Sequence, residues 1–204
     1  MKLYYSPGAC SLASRISLHE AGLAAEYERV DLKTKTTESG RDFNAINPAG
    51  SVPMLVLDDG NAVTENVAVL DLLAQSAPQL GVDGPLGRTR LLEMLSYLST
   101  ELHIAFKPFW HGGEAAKAAA GAMVGKKLLY LEGRMAGPFL FGPAFSVADA
   151  YLFVMLRWAK GFGLPFSPAM LDYFERIAAR DAVRQAIAEE SPAAAQPSPA
   201  LATT

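Results

Sequence analysis

Thiol is the scarcest functional group in this chain: Cys10 is the single cysteine among 204 residues. One thiol excludes a disulfide within the chain and any zinc site built on cysteines. Histidine is almost as rare, and His19, His103 and His111 lack metal-ligand spacing toward one another. A surplus of one charge is missing too. Lys and Arg number 18 against 21 Asp and Glu, and no basic run exceeds Lys126-Lys127. The clustered cations of a nucleic-acid surface are therefore absent. The longest apolar runs, such as Tyr151 to Leu156, fall far short of the ~20 residues of a membrane helix. The start of the chain breaks at Ser6-Pro7-Gly8, before the apolar region of a secretory leader could form. Together these absences predict a reduced, cytoplasmic protein with no metal, no nucleic-acid partner and no membrane.

What is present suffices for real cores. Half of the residues are hydrophobic and the mean hydropathy is +0.15, over a length that allows one large domain or two small ones. Lys2 to Tyr5 reads as a buried strand closed by Ser6-Pro7-Gly8. Ser11 to Ala21 has helical spacing, with Gly22 as its C-terminal cap. Ala25 to Asp31 is a second strand, which completes a βαβ unit. After the polar stretch Lys33 to Arg41, a short helix fits Asp42 to Ile46, and Asn47-Pro48-Ala49-Gly50 is a turn. Val52 to Leu57 and Ala62-Val63 form a hairpin around Asp58-Asp59-Gly60-Asn61. Thr64 can cap a helix carrying Val67, Leu70, Leu73 and Ala74. Residues 1–77 thus read as an α/β domain.

Prolines and glycines cluster from Ala77 to Gly87 as a linker, and residues 88–190 read as all-helical. One stripe runs from Leu91 through Leu95, Leu98, Leu102 and Phe106 to Phe109, and another helix spans Glu114 to Met135. Ser146-Val147-Ala148-Asp149 is a capping-box start for a helix to about Lys160, with Phe145 placed to staple against Ala150 or Tyr151. Ser167-Pro168 is another start, and Asp181 opens a last helix. Residues 191–204, rich in Pro, Ala, Ser and Thr, have nothing to bury and read as a flexible tail.

Chemistry gathers at few positions. Cys10 stands where the first strand hands over to the first helix. There the helix dipole and free N–H groups favour thiolate; a lone cysteine is more often a buried structural one, but the small-residue turn Pro7 to Ser11 is a poor place to hide a side chain. With no partner at Ala13, any mixed disulfide must be resolved by an external thiol. Val52-Pro53 has a proline at a strand start, often cis, offering a peptide-docking edge; an ordinary edge-strand proline is the alternative. Glu65-Asn66 opens a helix that can hold an amino-acid head group, or simply caps itself. His103 lies on a polar track with Ser96, Thr100 and Lys107, which is either a solvated face or the border of a site. His19 and His111 read as surface residues.

These segments coincide in order and spacing with one family. Met1 to Leu12, Asn47-Pro48 with Val52-Pro53, Thr64-Glu65, Thr100-Glu101-Leu102-His103 and Phe145 to Phe153 resemble the bacterial beta-class glutathione S-transferases, in register from Met1 to about Ile187. The resemblance implies a thioredoxin-like N-terminal domain, a C-terminal helical bundle and a homodimer. It maps a glutathione site onto Cys10, Lys35, Val52, Glu65, Asn66 and the residues Thr100, Glu101, Leu102 and His103. By that resemblance Cys10 lies beside the glutathione sulfur and can form a mixed disulfide with it, assisted by His103. Val52 bonds the cysteinyl part through its backbone, Glu65 and Asn66 hold the γ-glutamyl group, and Lys35 approaches the glycine carboxylate. Asn66, Ser96 and Ile104 depart from residues common in the family, the last two near the dimer cleft.

The activity so implied is conjugation of glutathione to a small hydrophobic electrophile, met by aromatic side chains for which Phe106, Phe109, Trp110 and Trp158 are candidates; taken singly, each is more often core packing. Two other functions fit the same residues: a monothiol glutathione-dependent redox enzyme, and a non-catalytic ligand carrier.

Overall fold

The computed structural model describes residues 1–191; the expected tail from 192 onward lies outside the described residues. Strand β1 (Lys2–Tyr5) sits at the centre of a five-stranded sheet. It pairs in parallel with β2 (Glu26–Asp31), Lys2 opposite Glu26, across helix α1 (Ser11–Ala21). Its other edge pairs antiparallel with β4 (Met54–Val56), Leu3 opposite Leu55, and β4 turns back into β5 (Ala62–Thr64). The Asp-Gly hairpin forms as its composition dictates, with Gly60 at φ 87°. Gly22 takes the left-handed C-cap of α1. The sheet order is β3-β2-β1-β4-β5, where β3 is the two-residue strand Thr36–Thr37 inside the stretch read as polar loop.

Both faces of the sheet are covered. On one, Tyr4, Val30, Val52 and Met54 close over Phe43 of helix α2 (Phe43–Ile46), whose N-cap Asp42 accepts from the Asn44 N–H. On the other, Leu3 and Leu55 meet α1 and α3 (Asn66–Ser76). Ser11, Ser14 and Ser17 give α1 a small-residue flank, and the helix is buried nearly all round. The Pro/Gly segment includes a short 3₁₀ turn, Pro78–Leu80.

Helices fill the remainder: α4 (Gly87–Tyr97), α5 (Lys107–His111), α6 (Glu114–Glu132), α7 (Val147–Gly161), α8 (Pro168–Ala178) and α9 (Asp181–Glu190). The single stripe read from Leu91 to Phe109 is not one helix. A π-helical turn, Leu98–His103, follows α4, and Pro108 then sits in the first turn of α5. Helix α6 stops at Glu132, three residues before the expected end. The start of α7 is a capping box: the Ser146 N–H and hydroxyl both reach Asp149 Oδ2, at 2.8 and 2.6 Å. Asp149, fully buried, also accepts from the Leu140 N–H and the Tyr173 hydroxyl. Phe145 is buried and meets Phe139 edge-on. Ser167 caps α8 by accepting from the Met170 N–H. Helix α7 threads the centre of the helical part, and each of its sealed Leu, Phe and Val side chains contributes about 1.5–3 kcal/mol of burial free energy. Helix α1 packs against α3, α7 and α9, which joins the two parts of the molecule.

One buried acid makes the sheet domain acid-sensitive. Glu28 on β2 opposes its own burial with partners: the Lys2 ammonium, the Ser39 hydroxyl at 2.5 Å and Arg41 at 2.8 Å. Burial pushes its pKa up, but hydrogen bonds led by Lys2 and Ser39 outweigh it and hold the carboxyl down at about 2, against an ordinary 4.5. A depressed native pKa stabilises the fold above the unfolded value and loses that stability as pH falls through the native one. Urea midpoints are therefore expected to drop between pH 5 and 2 by the equivalent of about 2 kcal/mol from this group. Glu28→Gln should remove that share of the pH dependence; an unchanged acid slope refutes the assignment.

Candidate functional site

The loop between β1 and α1 is held from two sides at Gly8, itself at φ 70°. Its N–H donates to a Glu190 carboxylate oxygen of α9 at 2.8 Å, and its C=O accepts from the Trp158 indole of α7, also at 2.8 Å. Burial raises the Glu190 pKa to about 7, against the pull of the Gly8 N–H, Arg15 and Arg157. Arg15 lies beneath, between the rings of Tyr5 and Tyr27 at 4.0 Å from each. His19, read as a surface residue, is half-buried here and bonds Glu189 at 2.9 Å.

A cavity of about 720 Å³ opens beside this pinned loop, within the usual size of a small-molecule site. One wall is Ser6 to Cys10, Lys35 and Gly50 to Val52; the other is His103, Trp110, Arg157, Trp158 and Phe162. Of the residues singled out by sequence, the cavity brings together Cys10, Lys35, Val52, His103, Trp110 and Trp158. The Val52–Pro53 peptide is cis. The Lys35 ammonium donates to the Gly50 carbonyl at 2.6 Å.

Cys10 is partly buried at the N-cap of α1, and its thiol lies 3.5 Å from the Val52 carbonyl, to which it donates. The expected thiolate is not favoured. Burial pushes the thiol up to about 11, and the backbone N–H groups of Cys10 and Ser11 pull it down too little to compensate, while the Glu65 carboxylate pushes it further up. The helix start supplies the donors that the sequence predicts; desolvation outweighs them.

His103 closes the π turn. Its Nδ1 lies 2.9 Å from the Tyr151 hydroxyl of α7, and its ring meets Trp158 at 4.9 Å. Burial, then the Lys107 charge, lowers its pKa, so the imidazole is neutral at pH 7. Burial raises the Tyr151 hydroxyl well above its ordinary value. We assign the Tyr151 O–H as donor to Nδ1, which leaves the ring proton on Nε2.

Other predicted residues do not line the cavity. Thr64 ends β5, and the N-cap of α3 is Glu65, exposed, at φ 66° and without a side-chain capping bond. Asn66 turns inward: it is buried, and its Oδ1 accepts from the Ser14 hydroxyl at 3.0 Å. Of the Thr100–His103 segment only His103 lines the cavity. Thr100 donates to the Ser96 carbonyl, Glu101 pairs with Lys127 at 2.6 Å, and Leu102 is sealed in the core. Phe106 is sealed too, and Phe109 stacks on Phe162 at 4.5 Å behind the cavity wall. Tyr151, Arg157 and Phe162 are cavity or near-cavity residues that the sequence reading missed. Arg157 carried a signal, as a cation closing the apolar run Tyr151 to Leu156. Among the described residues no cluster of His, Cys, Asp or Glu could hold a metal ion, and no helix is long and apolar enough to cross a membrane.

A thioredoxin-like sheet domain followed by a helical domain, with a cysteine at the first strand-to-helix turn and a cavity between the two, defines a glutathione-transferase architecture. Residues 8–76 match the family model described as the glutathione S-transferase N-terminal domain, and residues 62–184 match its C-terminal domain. The chain belongs to the glutathione S-transferase family. The glutathione S-transferase GstA of Escherichia coli O157:H7 is 40% identical over 198 residues, covering 93% of this chain and 98% of that protein. A sphingomonad glutathione S-transferase solved in complex with glutathione is 44% identical with a TM-score of 0.86, covering 93% of this chain and 98% of that one. The beta-class enzyme of Sphingomonas chungbukensis is 44% identical with a TM-score of 0.87, covering 94% and 99%. These likenesses agree with the beta-class motifs of the sequence.

Proposed function

We propose that this enzyme binds glutathione with its sulfur beside Cys10 and adds it, as thiolate, to hydrophobic electrophiles lodged against Trp110, Trp158 and Phe162. One observation carries this reading: Cys10 and Val52 line one wall of a cavity whose opposite wall is aromatic. The Val52 backbone holds the cysteinyl part, Glu65 and the N-terminus of α3 take the γ-glutamyl group, and Lys35 reaches toward the glycine carboxylate. Nε2–H of His103 donates to the glutathione sulfur. The sulfur forms the new C–S bond, and the leaving group departs with its electron pair. Positioning of the two substrates supplies much of the rate.

The working form is a cytoplasmic homodimer, divided into a glutathione-binding domain over 1–77 and a helical domain over 88–190. Exposed Ile104 and Tyr130 supply apolar surface for a partner copy.

Glutathione and 1-chloro-2,4-dinitrobenzene should give conjugate at a rate well above the uncatalysed one. Absence of conjugate while glutathione still binds would point to the carrier function. Incubation with oxidised glutathione should add one glutathionyl group to the wild type by intact mass and none to Cys10→Ala. In that exchange the Cys10 sulfur bonds to one glutathione sulfur and the other leaves as thiolate. A wild type that never forms the adduct removes Cys10 from thiol exchange.

A further inference from the structure

Arg157 stands one residue before Trp158 in the last turns of α7, in the aromatic wall of the cavity. It is half-buried, yet among the described residues its guanidinium makes no hydrogen bond and no ion pair. Arg41, Arg88 and Arg180, by contrast, each grip a carboxylate. A cation near a helix C-terminus can serve that helix by capping its last carbonyls; Arg157 caps none. The acid acting on it is Glu190, whose Oε2 accepts the Gly8 N–H; its Oε1 lies 4.0 Å from the Arg15 Nε and makes no hydrogen bond among the described residues, with Arg157 or any other group. A planar cation with unused donors, lining the same cavity as Trp110, Trp158 and Phe162, is suited to a flat anion that packs on the rings and receives paired N–H bonds.

We propose that the electrophile half of the cavity is selective for aromatic substrates bearing a carboxylate, which pairs with Arg157. The inference rests on the cavity being the transferase site, and it names the substrate class of that site. The carboxylate is not consumed: glutathione sulfur bonds to the ring carbon, a halide leaves with the bonding electrons, and the thiol proton passes to solvent. Glutathione's own glycine carboxylate is directed to Lys35 on the opposite wall, so the two anions do not compete for one cation.

The test uses the full-length protein saturated with glutathione. Its two tryptophans, Trp110 and Trp158, both line the cavity, so nitroaromatics bound there quench their fluorescence. The probes are 3-nitrobenzoate and its neutral counterpart 3-nitrobenzamide. The wild type should bind the carboxylate about tenfold more tightly than the amide. Arg157→Gln should bind the two alike, and Arg157→Lys should restore part of the preference. Equal binding by the wild type overturns the proposal. So does a preference that survives in Arg157→Gln, which would place the anion on another group. Turnover of the neutral 1-chloro-2,4-dinitrobenzene by the wild type reads the transferase function separately; its failure removes that function while the binding comparison still decides the anion selectivity.

Discussion

Alkylation of Cys10 by iodoacetamide in the ligand-free protein is expected to keep rising about tenfold per pH unit from pH 7 until close to pH 11. An ordinary thiol, with a pKa near 9, levels off two units earlier. The reason is the thiol's surroundings: burial raises it to about 11 despite the N–H groups at the start of α1. At pH 7 that leaves about a hundredfold less thiolate than in an unperturbed thiol. A more basic thiolate is also more nucleophilic, by roughly eightfold over two pKa units, so the net rate at pH 7 falls only about tenfold. The slope is therefore the sharper readout, and mass-resolved labelling across pH 7–11 measures it. A plateau near pH 7 would mean an ionised sulfur and overturn this account. A protonated Cys10 also suits the proposed chemistry. A second thiolate beside that of glutathione would repel it, whereas a neutral S–H can donate to it in place of the Val52 carbonyl.

The position of Cys10 was legible in the sequence and its protonation was not. Position follows from local rules: an apolar strand, a small-residue turn and a helix with its glycine cap all act within about 20 residues. The thiol's surroundings come from Val52, 42 residues away, and from the helical wall that carries Trp158. The same division runs through the rest of the chain. Caps at Ser146 and Ser167, the Asp-Gly hairpin and the left-handed Gly22 are each fixed by neighbouring residues and appear as read. The π turn at Leu98–His103 is not readable, because an apolar stripe with one extra residue per turn still looks like a helical stripe. Strand β3 is two threonines, too short for any alternation to show. Asn66 reads as a ligand contact because it opens a helix; that its Oδ1 accepts from Ser14 depends on how α3 packs on α1. Arg157 reached the cavity for a similar reason, since only the packing of α7 against the Gly8 loop decides which flank of that helix faces the site.

Glu65→Gly is expected to stabilise the protein while removing most of its affinity for glutathione. Glu65 holds φ 66° and ψ 121° at the N-cap of α3, a region that a side chain enters only at a cost of order 1–3 kcal/mol. Its carboxylate makes no capping bond and no ion pair among the described residues, so the fold gains nothing from it. Glycine adopts the same backbone freely, at about 0.5–1 kcal/mol of extra chain entropy, which leaves a net gain near 1 kcal/mol and a rise in Tm of about 2–4 °C. A strained residue that contributes nothing to folding is best explained by what it binds, and an exposed carboxylate at a helix N-terminus can hold the ammonium of an α-amino-acid head group while the N–H groups of α3 hold its carboxylate. Losing a charge-assisted contact worth about 1.5–3 kcal/mol should weaken glutathione roughly ten- to 150-fold by calorimetry. Glu65→Ala separates the two effects: it keeps the strain, so Tm should stay near wild type, and loses the affinity just as the glycine variant does. Unchanged glutathione affinity in both variants would refute the head-group role, and a fall in Tm for the glycine variant would refute the strain.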